Sequence, residues 1–309
     1  MWTPRSGGWR FGRCSWARRS RSPRWTRRKR RRSNLSRQST PSGGKPAGWE
    51  DRDVRIGIRN GSLRQDYAEA LRTAGALGYD GVELVVRDTA VLDHWLSNEG
   101  AAQVAGWCRQ AGCVVSSLSV AAYRSVNFAL PDPEARRAGV ALVANSLRAC
   151  RRLGGSAVLF PHFERERIDI SAAEEERYIA ELRRCVPVAE ETGVAIALET
   201  SFSTDQLQRI IQAVGSPLVG VYVDLANALH FGHDPAEMLR RLGRAVVMVH
   251  LKDTDRAMLG DGRVDWHACR EALQAIEYDG WVVLETPPGD DPVAAARRNL
   301  EFTRRWLAS

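Results

Sequence analysis

The 309-residue chain has no uninterrupted apolar run of the roughly 18 residues that a membrane-spanning helix needs. Its six cysteines, at positions 14, 108, 113, 150, 185 and 269, include no Cys-x-x-Cys pair and no metal-type spacing. A disulfide framework is thereby disfavoured, and reduced thiols predict a cytoplasmic protein. No Gly-x-Gly-x-x-Gly follows the first apolar run, so the dinucleotide-binding fingerprint is missing. Acidic side chains are scarce in one region only. Residues 1–50 hold 1 of the 37 Asp+Glu but 15 of the 45 Lys+Arg, a local net charge of +14.

Residues 51–309 hold the other 30 basic and 36 acidic side chains, so the overall +8 conceals a body of net charge −6. That balance argues against a basic globular surface for nucleic acid. The first fifty residues are rich in Arg, Ser, Gly, Pro and Trp around the run Arg27-Arg28-Lys29-Arg30-Arg31-Arg32. Without apolar periodicity and with like charges repelling, this segment is expected to be disordered. The composition suits either a nucleic-acid arm or an organelle transit peptide, though its prolines argue against the amphipathic helix of the latter. A secretory signal fails for want of an apolar stretch after the charges. The favoured expectation is a segment without a role, from a start codon set too far upstream.

From residue 51 onward, short β-branched apolar runs recur: Val54–Ile58, Gly81–Val86, Val114–Leu118, Ala157–Phe160, Val194–Leu198, Leu218–Val223, Val246–Val249 and Trp281–Leu284. Such runs suit strands buried on both faces of a parallel sheet. Helical segments lie between them. Ser171-Ala-Ala-Glu174 and Ser203-Thr-Asp-Gln206 read as capping boxes, and Asp132-Pro133, Asp234-Pro235 and Asp291-Pro292 as helix starts. Gly78, Gly112, Gly154, Gly193, Gly215 and Gly243 fall where helices should close. Eight βα units of roughly 32 residues match a (β/α)8 barrel, one domain over 51–309.

Barrel active sites lie at the carboxyl ends of the strands. Strands five to eight end in Ala-Ile-Ala-Leu-Glu199, Val-Tyr-Val-Asp224, Val-Met-Val-His250 and Val-Val-Leu-Glu285. One such residue alone reads as a helix cap or a solvated loop position. Four in succession read as a metal site, because crowded carboxylates repel unless protonated or neutralised by a cation. Three oxygens and an imidazole suit one divalent ion, Mn²⁺ first, with Mg²⁺, Co²⁺ or Zn²⁺ as alternatives.

These strings resemble the xylose-isomerase-like superfamily of sugar isomerases and epimerases over residues 53–309. The resemblance is strongest in Val-Tyr-Val-Asp224-Leu-Ala-Asn227, His250-Leu-Lys252-Asp253-Thr, Leu259-Gly-Asp-Gly262-Arg-Val-Asp265-Trp and Val-Leu-Glu285-Thr, with Gly-Tyr-Asp-Gly-Val-Glu83 matching the second strand. It implies that Glu199, Asp224, His250 and Glu285 bind one divalent ion. Asn227 and the His-Leu-Lys-Asp string look like ketose-phosphate 3-epimerases. Asp255-Arg256 looks like the unphosphorylated ketose 3-epimerases, whose arginine positions the substrate.

The expected chemistry is proton removal beside a ketose carbonyl through a metal-stabilised enediolate. Glu199 and Glu285 are the acid–base pair. Epimerisation, aldose–ketose isomerisation and dehydration of an inosose-type keto-polyol all begin this way. Arg256, Asn227, Lys252, His162 and Glu83 are the expected substrate contacts, Glu83 reading equally as the buried partner of a basic group, with Arg59 and Asn60 as further pocket polar groups and His230 and His233 at the surface or the rim. The expected partner is a small sugar or sugar phosphate, with no membrane and with room for a homo-oligomer. A non-catalytic polyol-binding barrel is disfavoured by the intact ligand set. An abasic-site endonuclease is disfavoured too: the ends of strands two and three carry no His, and Ala257 follows Arg256 where a further ligand would be needed.

Overall fold

The computed structural model describes residues 54–164 and 167–309, so the expectations for residues 1–50 lie outside the described residues. All eight expected strands form: β1 (Arg55–Arg59), β2 (Gly81–Val86), β3 (Val114–Val120), β4 (Ala157–His162), β5 (Ala195–Thr200), β6 (Val219–Asp224), β7 (Val246–Leu251) and β8 (Trp281–Leu284). They pair in chain order, and β8 closes on β1 in parallel, so the sheet is a sealed barrel without free edges.

Side chains alternate along each strand, and this sorts the core into two layers. Ala157 and Leu159 of β4, Ala195 and Ala197 of β5, Tyr222 of β6, Met248 of β7, and Trp281 and Val283 of β8 pack together inside the barrel. Their chain neighbours Val158, Ile196, Val223, Val249 and Val282 join the larger cluster that seats the helices against the sheet. At roughly 25 cal/mol per Å² of apolar surface removed from water, this outer layer is the main source of stability.

The helix ends follow local chemistry with one departure. Ser171 and Glu174 form the reciprocal capping box at the helix Ala172–Thr192, which closes at left-handed Gly193 (φ 66°). Ser203 caps the helix Thr204–Val214 by accepting from the Gln206 amide at 3.2 Å. The Gln206 side chain, however, does not reach back to the cap. It exchanges two 2.9 Å hydrogen bonds with the backbone of Ile170, so a tertiary partner replaces the local one. All five described cysteines are free. No described helix is long and apolar enough to cross a membrane.

Candidate metal centre and active site

Counting by twos from the inner layer brings Glu199, Asp224, His250 and Glu285 to the same end of the barrel. Asp224 and His250 are register partners on β6 and β7. One ligand atom from each of the four lies within 4.8 Å of every other. Glu199, Asp224 and His250 are buried, and Glu285 is half-buried at the mouth.

Asp224 divides its oxygens between two tasks. Oδ1 accepts from the Asn227 backbone amide at 2.7 Å, capping the short helix Leu225–His230. Oδ2 is buried without a hydrogen-bond partner among the described residues, and so is Nδ1 of His250. Oxygens of Glu285, Glu199 and Asp224 stand 3.2, 3.5 and 3.9 Å from that nitrogen. Those oxygens crowd the nitrogen closely enough that a proton or a metal ion is needed between them. Burial would depress the His250 pKa, but Glu83, Glu199 and Glu285 overcome it and hold it up at about 10. Burial pushes Asp224 up to about 6, with Glu199 and Glu285 adding to the rise and Lys252 opposing it. For Glu285 burial is outweighed by His250, Arg59 and Lys252, which bring it down to about 2. Two orphaned buried atoms aimed at one point, in a set of three carboxylates and an imidazole, fit a divalent cation.

Beneath the cluster lies a polar layer. Glu83 is fully buried, and its Oε1 stands 3.2 Å from Nε2 of His250. The hydroxyls of Ser117 and Tyr222 donate to its Oε2 at 2.9 and 3.0 Å, and Arg59 Nε lies 3.4 Å from Oε1. Burial would raise this carboxyl, but His250 and Arg59 keep it below the usual range. With Nε2 held as the donor, Nδ1 is the nitrogen that could ligate an ion. Of the two expectations for Glu83, the structure shows the buried partner of basic groups, Arg59 and His250, and not the substrate contact. Depth in the barrel is the reason.

Arg59 ties this layer to the mouth, meeting Glu285 at 2.6 Å and donating to Ser119 at 3.2 Å. The sequence marks Arg59 as a pocket polar group, and it lines two cavities, but its ties to Glu83 and Glu285 carry no spacing signal. Lys252 donates to Asn227 Oδ1 at 3.1 Å and Glu285 at 3.4 Å, and stands 3.5 Å from Asp224. Asn227 in turn donates to Glu199 at 3.0 Å. Both expected contacts therefore lie beside the four-residue cluster. Asn60 turns inward, accepting from the Val85 amide at 2.9 Å.

Two cavities meet over these residues. One of about 580 Å³ is lined by Arg59, Lys252 and Glu285 below and by Arg87, Arg256 and Arg263 around. The other, about 190 Å³, reaches Glu199 between Arg124, Phe163 and Phe231. His230 borders both cavities, whereas His233 is spent on the Ser201 carbonyl at 3.0 Å. His162 lines neither cavity. It packs between Tyr178 and Phe202 with its Nε2 at 3.0 Å from Glu164, which corrects the expectation that it meets substrate. Pro161 takes the inward position on β4, so His162 turns outward.

The loop that carries Arg256 is built on Asp253. This buried carboxylate accepts from the backbone amides of Thr254, Gly260, Gly262 and Val264 and from the Trp266 indole, at 2.8–3.2 Å. A Cβ at Gly262 would lie 2.1 Å from Asp253 Oδ1, so only glycine lets the backbone approach. Asp255 and Arg256 hold left-handed φ values of 56° and 59°, a strained pairing for non-glycine residues, and Arg256 lines the cavity.

Fold and site together define a metal-competent barrel, and residues 71–306 match the xylose isomerase-like TIM barrel family. The chain belongs to that family. Among curated relatives, it is similar to the L-ribulose-5-phosphate 3-epimerase UlaE of Salmonella paratyphi B, 24% identical over 280 residues that cover 84% of this chain and 96% of the relative. Among solved structures, it resembles D-psicose 3-epimerase from Clostridium cellulolyticum H10 (TM-score 0.72, 19% identity, 82% of this chain and 99% of that one). A further likeness is to the IolI protein with a bound zinc atom (TM-score 0.70, 19% identity, 82% and 98%).

Proposed function

We propose that the protein is a divalent-metal-dependent ketose or ketose-phosphate 3-epimerase. The observation that supports this reading most is the four-residue cluster, whose ligand atoms lie within 4.8 Å with Asp224 Oδ2 and His250 Nδ1 orphaned. Glu199, Asp224, His250 and Glu285 would hold the ion, for which Mn²⁺ is the first candidate. When bound, the ion supplies Lewis-acid polarisation of a ketose carbonyl and its neighbouring hydroxyl. The curated relative named above acts on a ketose phosphate, which agrees with that chemistry.

The chain's own residues carry the proton. Glu199 on β5 and Glu285 just after β8 each turn a carboxylate oxygen toward His250 Nδ1, at 3.5 and 3.2 Å, and this pair would serve the two faces of the reacting carbon. One glutamate removes the proton beside the carbonyl, and the other returns a proton to the opposite face. Arg59 and Lys252 keep Glu285 ionised, while Asn227 orients Glu199 through its amide. The flanking cavities, about 580 and 190 Å³, have room for the rest of the sugar.

The test is solvent exchange. In deuterated water the Mn²⁺-loaded protein should place deuterium on the inverted carbon of a ketose or ketose phosphate. Glu199→Gln and Glu285→Gln should each slow turnover by at least about 10²-fold, the low end for losing general acid–base catalysis. Normal turnover in the double variant would contradict the reading, as would a reaction that proves to be hydride transfer or hydrolysis.

A further inference from the structure

The larger cavity carries more positive charge than the metal site can use. Its acidic lining residues are already engaged. Asp253 accepts from five N–H groups within its loop, and Glu285 is bracketed by Arg59 and Lys252. Asp255 meets Arg263 at 3.4 Å, but both side chains are about three-quarters exposed, so water weakens that pair. Arg87 and Arg256 make no ion pair among the described residues, yet both line the cavity. This concentration of unneutralised guanidinium groups stands on a body whose net charge is −6.

We propose that Arg87, Arg256 and Arg263 form an anion-binding wall for the terminal phosphate of an open-chain ketose phosphate. The inference rests on the epimerase reading and narrows its substrate class to phosphorylated ketoses. Three observations support it. The arginines come from two loops, after β2 and after β7, so they approach an anion from different sides. Lys252 and Glu285 at the cavity floor join the wall to the metal cluster, which places a carbonyl end and an anionic end in one continuous space. Arg256, which with Asp255 holds a left-handed backbone, lines that same space. Guanidinium forks bind phosphate oxygens in pairs, which a neutral sugar end cannot match.

The experiment uses the full chain loaded with Mn²⁺. Inorganic phosphate is titrated by calorimetry into the unsubstituted protein and into Arg87→Ala and Arg256→Ala, which are exposed positions where folding should be retained. Turnover is compared on a ketopentose 5-phosphate and the matching free ketopentose. Phosphate affinity should fall at least about tenfold in each variant, and so should the ratio of kcat/KM for the phosphorylated over the free sugar. Arg87→Lys, which keeps a charge, should recover part of both. Phosphate binding that ignores both substitutions, or a ratio that does not move, would overturn the proposal. Arginine-dependent phosphate binding without turnover of any ketose would refute the epimerase reading and leave the anion wall standing.

Discussion

Removing the Glu83 charge should weaken metal binding without emptying the fold. Glu83→Gln keeps one acceptor for His250 Nε2, and the hydroxyls of Ser117 and Tyr222 can turn to accept from the new amide. The shape of the layer survives. The negative charge that fixes and polarises the imidazole is lost, and replacement of such outer partners costs about 10–100-fold in metal affinity. That range corresponds to roughly 1.4–2.7 kcal/mol. Glu83→Leu is harsher, because the buried His250 and the half-buried Arg59 then face an apolar side chain. Breaking one partner of a buried pair costs about 3–5 kcal/mol of folding stability. Calorimetric titration with Mn²⁺ reads the first variant and urea denaturation the second. If Glu83→Gln binds Mn²⁺ as tightly as the unsubstituted protein, the carboxylate does not set His250 as a ligand, and the argument for its role fails.

Two further outcomes follow from the same contacts. With His250 raised to about 10, the ion-free protein carries a proton there at neutral pH, and bound metal must displace it. Calorimetry in buffers of different ionisation enthalpy should show about one proton released per ion at neutral pH. The number should rise toward about two as pH falls below the Asp224 value of about 6, so metal affinity increases with pH. In the ion-free fold the His250 contribution to stability is full below its ordinary 6.5 and disappears as pH rises through about 10. Release that does not change with pH would contradict this. Asp253→Ala should cost at least about 2 kcal/mol in denaturation, since it removes the acceptor of five donors, two of them the buried amides of Thr254 and Val264. Gly262→Ala should destabilise the same loop, and an unchanged midpoint in both variants would refute the hub.

The four-residue cluster was legible in the sequence because strand parity and strand ends are both written there. Glu199 continues the count from Ala195 and Ala197, Asp224 from Tyr222, His250 from Met248, and Glu285 from Trp281 and Val283. The same count, applied to Ala157 and Leu159, selects Pro161 and rejects His162; the histidine was misread by type when its position already spoke against it. Glu83 needed more than parity. Its partners on β3 depend on a register shift that pairs Val82 with Val115 but Glu83 with Ser117, and no local pattern announces that skip. The skip sets the Ser117 hydroxyl beside Glu83, whose carboxylate also meets Tyr222 and His250 across the barrel. The ties of Arg59 were hidden for a related reason, since they reach Glu83 and Glu285 at once, on strands at the two ends of the chain order. Donors carried by consecutive strands can be read along a sequence. Groups that act by meeting across a closed barrel are defined only when β8 returns to β1.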